Sequence, residues 1–489
     1  MSSPITATRT IVPRPAFHFT PRRNWMNDPN GLVHDRGVWH LYFQYNPSGS
    51  DWGNMSWGHA TSSDLQHWRE HPVALSHRDG EQIFSGSVVA TTDGDETSLT
   101  AFYTSAFHDD HQAQSTASSR DGGYTWLPDP ANPILDRGTS AFRDPKVVRF
   151  DDPTGRSRWI MLTVEADDRQ VLIYSSTDLR SWSLQSTFGP LGDVGVVWEC
   201  PDLVLLPLDG DPHDLRWVLL LSTNPVGEDA DADGSSMHYI VGAFDGAVFT
   251  PDRPELERLD HGRDLYAGVT FDSAPGGEAI MLGWMSNWRY AHVFPSTPWR
   301  GAMSLPRRLS LRTVDGAARL VQEPAPFVGE LLAQGSETTV ADTAHPSTIM
   351  LGTHAILQAS WDPASTGAVR FALSGDADAT VELDHDPRGG ELRVTRRGRA
   401  AEAVHQDFPS TSAVPLVGTS PVTLLMSLDG PLLEVFVGDG SATASNLVVL
   451  GDGPITLILT TDHGGPITMT VADVESPERM TASARDVST

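Results

Sequence analysis

Short runs of alternating, β-branched or aromatic residues recur through the first three hundred positions. They include Val38–Tyr45, Ser87–Thr91, Lys146–Phe150, Trp159–Val164, Trp217–Ser222 and Ala279–Trp284. Clusters of Gly, Pro, Asp and Asn separate them, as expected for short strands joined by turns. No long amphipathic helix interrupts the series. A weak repeat runs through it: Ser63-Asp64-Leu65-Gln66-His67-Trp68 resembles Ser119–Trp126 and Ser176–Trp182, with tryptophans 58 and then 56 residues apart. Phe244–Phe249 reads as a degraded fourth copy. Each copy predicts strand, Asp-containing turn, strand, with an aromatic returning to the core. A repeat of this size can hold one four-stranded propeller blade, and about five fit before residue 325.

The pattern changes near Gln322–Pro326. Residues 326–347 carry mixed signals and read as a linker with a short helix. Alternating strands follow at Ala368–Leu373, Thr380–Leu383, Glu391–Thr395, Val422–Leu428, Leu432–Val437 and Ile455–Thr460, with turns at Asp429-Gly430 and Asp439-Gly440. Regular short strands of this kind predict a β-sandwich. The expected fold class is therefore all-β: a propeller over residues 1–325 and a sandwich over 348–489.

Composition narrows the function. The length of 489 residues suits two domains, and 39% hydrophobic with 20% charged residues describes a globular chain. No run of about 18 apolar residues predicts a membrane span. The formal net charge of −29 repels phosphate backbones and anionic bilayers, so neither nucleic acid nor membrane is an expected partner. A neutral sugar is indifferent to that charge, and the acidity also serves solubility. Cys200 is the single cysteine, which rules out an intrachain disulfide and a Cys-based zinc site. Met1–Pro15 shows no apolar leader core, so extracellular residence in a processed form and cytoplasmic residence both stay open.

Three acidic sites stand out. In Trp25–Gly31, Asp28 sits before a Pro-Asn-Gly turn between aromatics, where tight backbone would fix its direction; an ordinary Asx turn would also account for it. Phe142-Arg143-Asp144-Pro145 sets an arginine beside an aspartate before proline. Glu199 interrupts an apolar run, and a partly desolvated carboxyl there suits a general acid. Singly, each also reads as a satisfied buried carboxylate. In a propeller, however, the first strands of successive blades line one cavity, so three repeats can bring all three together.

These motifs resemble the signature blocks of glycoside hydrolase family 32: Trp25–Gly31, His40–Pro47, Trp52-Gly53, Trp57-Gly58-His59, Phe84-Ser85-Gly86-Ser87, Phe142–Pro145, Trp198–Asp202, Gly283–Trp288 and Pro298–Arg307. Asp429–Gly440 resembles a strand region of that family's C-terminal domain. The resemblance implies a five-bladed propeller followed by a sandwich, and a retaining hydrolase of β-fructofuranosides that needs no metal or organic cofactor. It implies Asp28 as nucleophile, Glu199 as acid/base, and Asp144 gripping fructosyl hydroxyls. Asn27, Gln44, Trp52, Phe84, Ser85 and Arg143 match pocket positions, with Trp284 and Trp288 as an aromatic wall. The expected partner is a fructan or fructo-oligosaccharide, bound by a monomer or homodimer.

The segments around Trp284–Trp288 and Pro298–Arg307 look closer to inulinases and levanases than to intracellular sucrose hydrolases. A levan fructotransferase would use the same residues but a sugar hydroxyl as acceptor. A non-catalytic carbohydrate-binding propeller and an arabinan-active propeller are further alternatives. The three retained acids oppose the former, and the Trp25–Gly31 block opposes the latter. Ala106–His111 and Glu228–Ser236 look individual to this chain and are expected to shape subsites beyond the first fructose.

Overall fold

A computed structural model describes residues 12–93, 96–152, 154–226, 233–340, 345–416 and 421–475. Five sheets follow one another along the chain as blades I–V. Their first strands are Asn24–Asp35, Glu81–Asp93, Phe142–Asp151, Val196–Pro207 and Tyr266–Thr270. In each blade the later strands pair antiparallel and successively outward. Trp299–Arg300 pairs parallel with the first strand of blade I, so chain that follows blade V's second strand closes the ring.

Apolar clusters between neighbouring blades hold the ring together. Tyr42, Trp57, Val88 and Tyr103 pack between blades I and II. Val89, Phe102, Phe142 and Met161 do so between II and III, and Ile160, Val171, Trp198 and Leu219 between III and IV. A blade is therefore covered on both faces. This is why strands such as Ser56–Ser62 are buried at every position rather than at alternate ones.

The repeat seen in the sequence is the turn from third to fourth strand. Asp64 accepts the amides of Gln66 and His67, Asp121 those of Tyr124 and Thr125, Asp178 those of Arg180 and Ser181, and Asp245 those of Ala247 and Val248. Blade V makes the equivalent turn with Asp315-Gly316, both at positive φ (51° and 73°). That two-residue hairpin needs no side-chain acceptor, so no fifth copy of the repeat is visible.

The expected sandwich is present as two six-stranded antiparallel sheets. Here burial does alternate along the strands, as in Val369–Ser374, because each sheet packs one face inward. Within the expected linker, Pro326–Leu332 forms the short helix, and Ser336–Val340 adds a strand that pairs with Ile467–Asp473 at a sheet edge. Residues 228–232, within the expected Glu228–Ser236 loop, lie outside the described residues.

A polar cluster joins the two domains. Arg307 of blade V is 0% exposed and bonds Glu434, Asp260 (3.1 Å), Gln322 (2.8 Å) and Ser445 (2.6 Å). His18 is clamped between Asp429 (2.7 Å) and Glu434 (2.8 Å). Burial opposes its charge, but the two carboxylates win and push its pKa up to about 9. Removing Arg307 would leave the buried Asp260 carboxylate without its cation and Glu434 with His18 alone. Arg307→Met is expected to cost about 3–5 kcal/mol, read as a lower denaturation midpoint in urea.

Candidate active site

Each blade's first strand carries one extra residue at the same level. Four residues, Met26 to Pro29, face only three on the neighbouring strand, Tyr45 to Phe43. The same shift occurs at Ile83/Gly86, Arg143/Lys146, Glu199/Asp202 and Tyr266/Val269. In blades III, IV and V the first unpaired residue (Asp144, Cys200, Ala267) adopts positive φ of 61°, 49° and 54°. Such a bulge re-aims side chains. It lets adjacent residues, Arg143 with Asp144 and Glu199 with Cys200, point into one space instead of to opposite faces.

The three acids do converge. Asp28 receives Ser85 Oγ at 2.6 Å on one oxygen and Asn27 Nδ2 at 3.0 Å on the other. Asn27 is itself held by Trp25 Nε1 at 2.7 Å. The Cys200 thiol lies 3.6 Å from Asp28 Oδ2 and 3.7 Å from Asp144 Oδ2, and the Cys200 amide donates to Asp144 at 2.9 Å. Glu199 takes Arg143 Nε on one oxygen at 3.1 Å and the Tyr266 hydroxyl on the other.

Burial raises the pKa of Asp28, and the Glu199 charge adds to that, against the bonds from Ser85 and Asn27. Burial pushes Asp144 up to about 7; Arg143 opposes this, while Glu199 and Asp28 reinforce it. Burial and the three carboxyls keep Cys200 a protonated thiol, able to donate to the carboxylates beside it.

Not every expected residue sits as anticipated. Glu199 is not in an apolar setting: its side chain is 20% exposed and both oxygens are engaged, because the apolar neighbours in its strand pack between blades. Trp284 does not face the cavity. It is 0% exposed and packs against Trp25 and Trp288, so no sugar can touch it. Trp52 is 47% exposed and meets Phe84 edge-on at 5.8 Å, on the rim. Gln44 is buried and donates to the Ile83 carbonyl at 3.1 Å, fixing the strand beside Phe84 and Ser85.

Tyr266 and Thr104 were not legible as site residues. Thr104 Oγ1 accepts the Asp144 amide at 2.9 Å. Tyr266 lies one blade beyond Glu199, and extending the repeat by one further blade would have pointed to its neighbourhood. Among the described residues, no three His, Cys, Asp or Glu side chains are grouped to hold a metal ion, and no helix is long and apolar enough to cross a membrane.

Residues 18–324 match the glycosyl hydrolases family 32 N-terminal domain, and residues 330–460 match the family 32 C-terminal domain. The chain belongs to glycoside hydrolase family 32. It is a β-fructofuranosidase-type glycosidase. Levanase of Bacillus subtilis is 36% identical over 89% of this chain, which spans 66% of that protein's length. Extracellular exo-inulinase of Aspergillus awamori is 36% identical, covering 88% of each chain. The crystal structure of the A. awamori exo-inulinase superposes with a TM-score of 0.87 at 32% identity, over 94% of this chain and 98% of the other. A β-fructofuranosidase of Schwanniomyces occidentalis, solved with fructosyl-erythritol, superposes with a TM-score of 0.83 at 28% identity, over 96% and 100%.

The family 32 site stores unfavourable charge, and this has a pH signature. Asp144 holds its proton to about pH 7 when folded but only to 3.8 otherwise. The folded state thus binds more protons between these values, and stability falls as pH rises through that window. Asp144→Asn keeps the acceptor for the Cys200 amide and removes the charge. Its Tm should exceed the parent's at pH 8, by an amount worth a few kcal/mol, and the gain should vanish at pH 4. Thermal scans at both pH values check this.

Proposed function

We propose that this family 32 enzyme hydrolyses the β-D-fructofuranosyl linkages of a fructan, levan or inulin, through a covalent fructosyl-enzyme. The observation that carries this reading is the pairing of two differently held carboxyls in one cavity. Asp28 is oriented by Ser85 and Asn27, and Glu199 is held by Arg143 and Tyr266. In the first step an Asp28 oxygen attacks the ketal carbon. The bond to the leaving oxygen breaks, and that oxygen takes the proton of Glu199. In the second step Glu199 removes a proton from water, whose oxygen attacks the same carbon and releases Asp28 as carboxylate. Asp144, accepting from sugar hydroxyls, would grip the fructosyl ring between the steps.

The relatives support a polymeric substrate, since they are named levanase and exo-inulinase. Those exo-inulinases are also named extracellular, which supports secretion of this chain in a processed form. Asp28→Asn should lower turnover on levan or inulin on the order of 10⁴-fold or more, with the fold intact by circular dichroism. Glu199→Gln should lose about 10²–10⁴-fold on fructans and far less on fructosyl fluoride, whose leaving group needs no proton. Chromatography of products from levan, inulin and sucrose assigns the acceptor. Free fructose or oligosaccharides support hydrolysis, and a difructose dianhydride would overturn it in favour of transfer.

A further inference from the structure

In blades III, IV and V, the left-handed residue of each bulge has its backbone amide held by a side-chain oxygen of the blade before it. Thr104 Oγ1 of blade II accepts the Asp144 amide at 2.9 Å. Asp144 Oδ2 of blade III accepts the Cys200 amide at 2.9 Å. Ser222 Oγ of blade IV accepts the Ala267 amide at 3.0 Å. Three links thus run in one direction around the ring. Left-handed backbone is unfavourable for any residue but glycine. It persists only where its surroundings hold it, so each bulge depends on such an anchor.

The first link is itself braced. Thr104 and Gln114 face each other on the second and third strands of blade II, and both are 0% exposed. Gln114 Nε2 donates to the Phe142 carbonyl at 2.9 Å, which leaves Oε1 to accept the Thr104 hydroxyl at 3.1 Å. With its proton so directed, Thr104 turns a lone pair toward the Asp144 amide. Blade II therefore grips blade III on both sides of Arg143, at the Phe142 carbonyl and at the Asp144 amide. The third link has a similar reach. Ser222, also 0% exposed, lies directly across from Glu199, and the Ala267 it holds follows Tyr266, whose hydroxyl meets Glu199.

We propose that Thr104 and Ser222 are positioning residues for the reaction. Both hydroxyls are buried out of the sugar's reach and act through the next blade. Thr104 fixes Asp144 and, through its carboxylate, the Cys200 amide. Ser222 fixes the strand that presents Tyr266 to Glu199. The inference rests on the roles proposed above for Asp144 and Glu199. The two links should fail differently. A loose Asp144 weakens the grip on the fructosyl ring, which every substrate shares. A loose Tyr266 weakens proton delivery by Glu199, which matters only where the leaving group needs a proton.

Thr104→Val keeps the shape of the side chain and removes the oxygen. Its kcat/KM should fall about tenfold, the worth of one hydrogen bond, and equally on inulin, sucrose and fructosyl fluoride. Thr104→Ser should recover most of that loss. Added to Asp144→Ala, Thr104→Val should cost no more than about twofold, because the side chain it positions is gone; a merely structural role would cost the same in both backgrounds. Gln114→Met loosens the same link from the other side and should behave alike, which keeps the test open if Thr104→Val folds poorly. Ser222→Ala should lose about tenfold on inulin and little on fructosyl fluoride. Independent losses in the Thr104 and Asp144 pair, parent activity in Thr104→Val, or equal losses of Ser222→Ala on inulin and the fluoride would overturn the proposal. A fully active Asp144→Ala would show instead that Asp144 does not grip the sugar, and the Thr104 half of the proposal would fall with that reading.

Discussion

Three carboxyl groups are crowded around one buried thiol, and the rest of the structure answers to that repulsion. Asp28, Asp144 and Glu199 each raise the cost of ionising a neighbour, and burial adds to it. The cluster is tolerable because donors are aimed at it from every blade: Asn27 from I, Ser85 from II, Arg143 from III, the Cys200 amide from IV and Tyr266 from V. Low dielectric strengthens those bonds as much as it strengthens the repulsion. A site of this kind therefore needs a closed ring of strands.

Closure alone would not suffice, because a regular strand sends neighbouring side chains to opposite faces. The extra residue in all five first strands places the needed pairs on one side. Beneath it, the ring is cross-linked by buried polar contacts. Lys146 of blade III reaches Asp202 of IV (3.1 Å) and the Thr270 carbonyl of V (2.6 Å). Ser87 of II donates to the Pro145 carbonyl of III at 2.9 Å. Rigid anchoring just below the bulges keeps the reacting groups from relaxing away from one another.

The sandwich contributes to the same end. Arg396 bonds Asp264 at 2.6 Å and the Tyr290 hydroxyl at 2.5 Å, with all three side chains buried. Asp264 precedes Tyr266 by two residues, and Tyr290 follows Trp288 by two. The second domain thus braces the strand whose Tyr266 holds Glu199 and the segment that carries Trp288. Arg307 and His18 make the rest of the interface equally polar and satisfied.

Local chemistry was legible in the sequence. The Asp-containing turns of the repeat, the strand periodicities and the motifs around Asp28, Asp144 and Glu199 each depend on residues only a few positions apart, so the chain alone determined blades, sandwich and candidate acids. Only the tertiary structure decided how those acids are held. Glu199's polar surroundings, the burial of Trp284, the roles of Tyr266 and Thr104, and the edge strand Ser336–Val340 all depend on register between distant segments. One residue of slip moves a side chain to the other face of its strand. No short stretch of sequence records that slip, because it is set by the partner strand across the sheet.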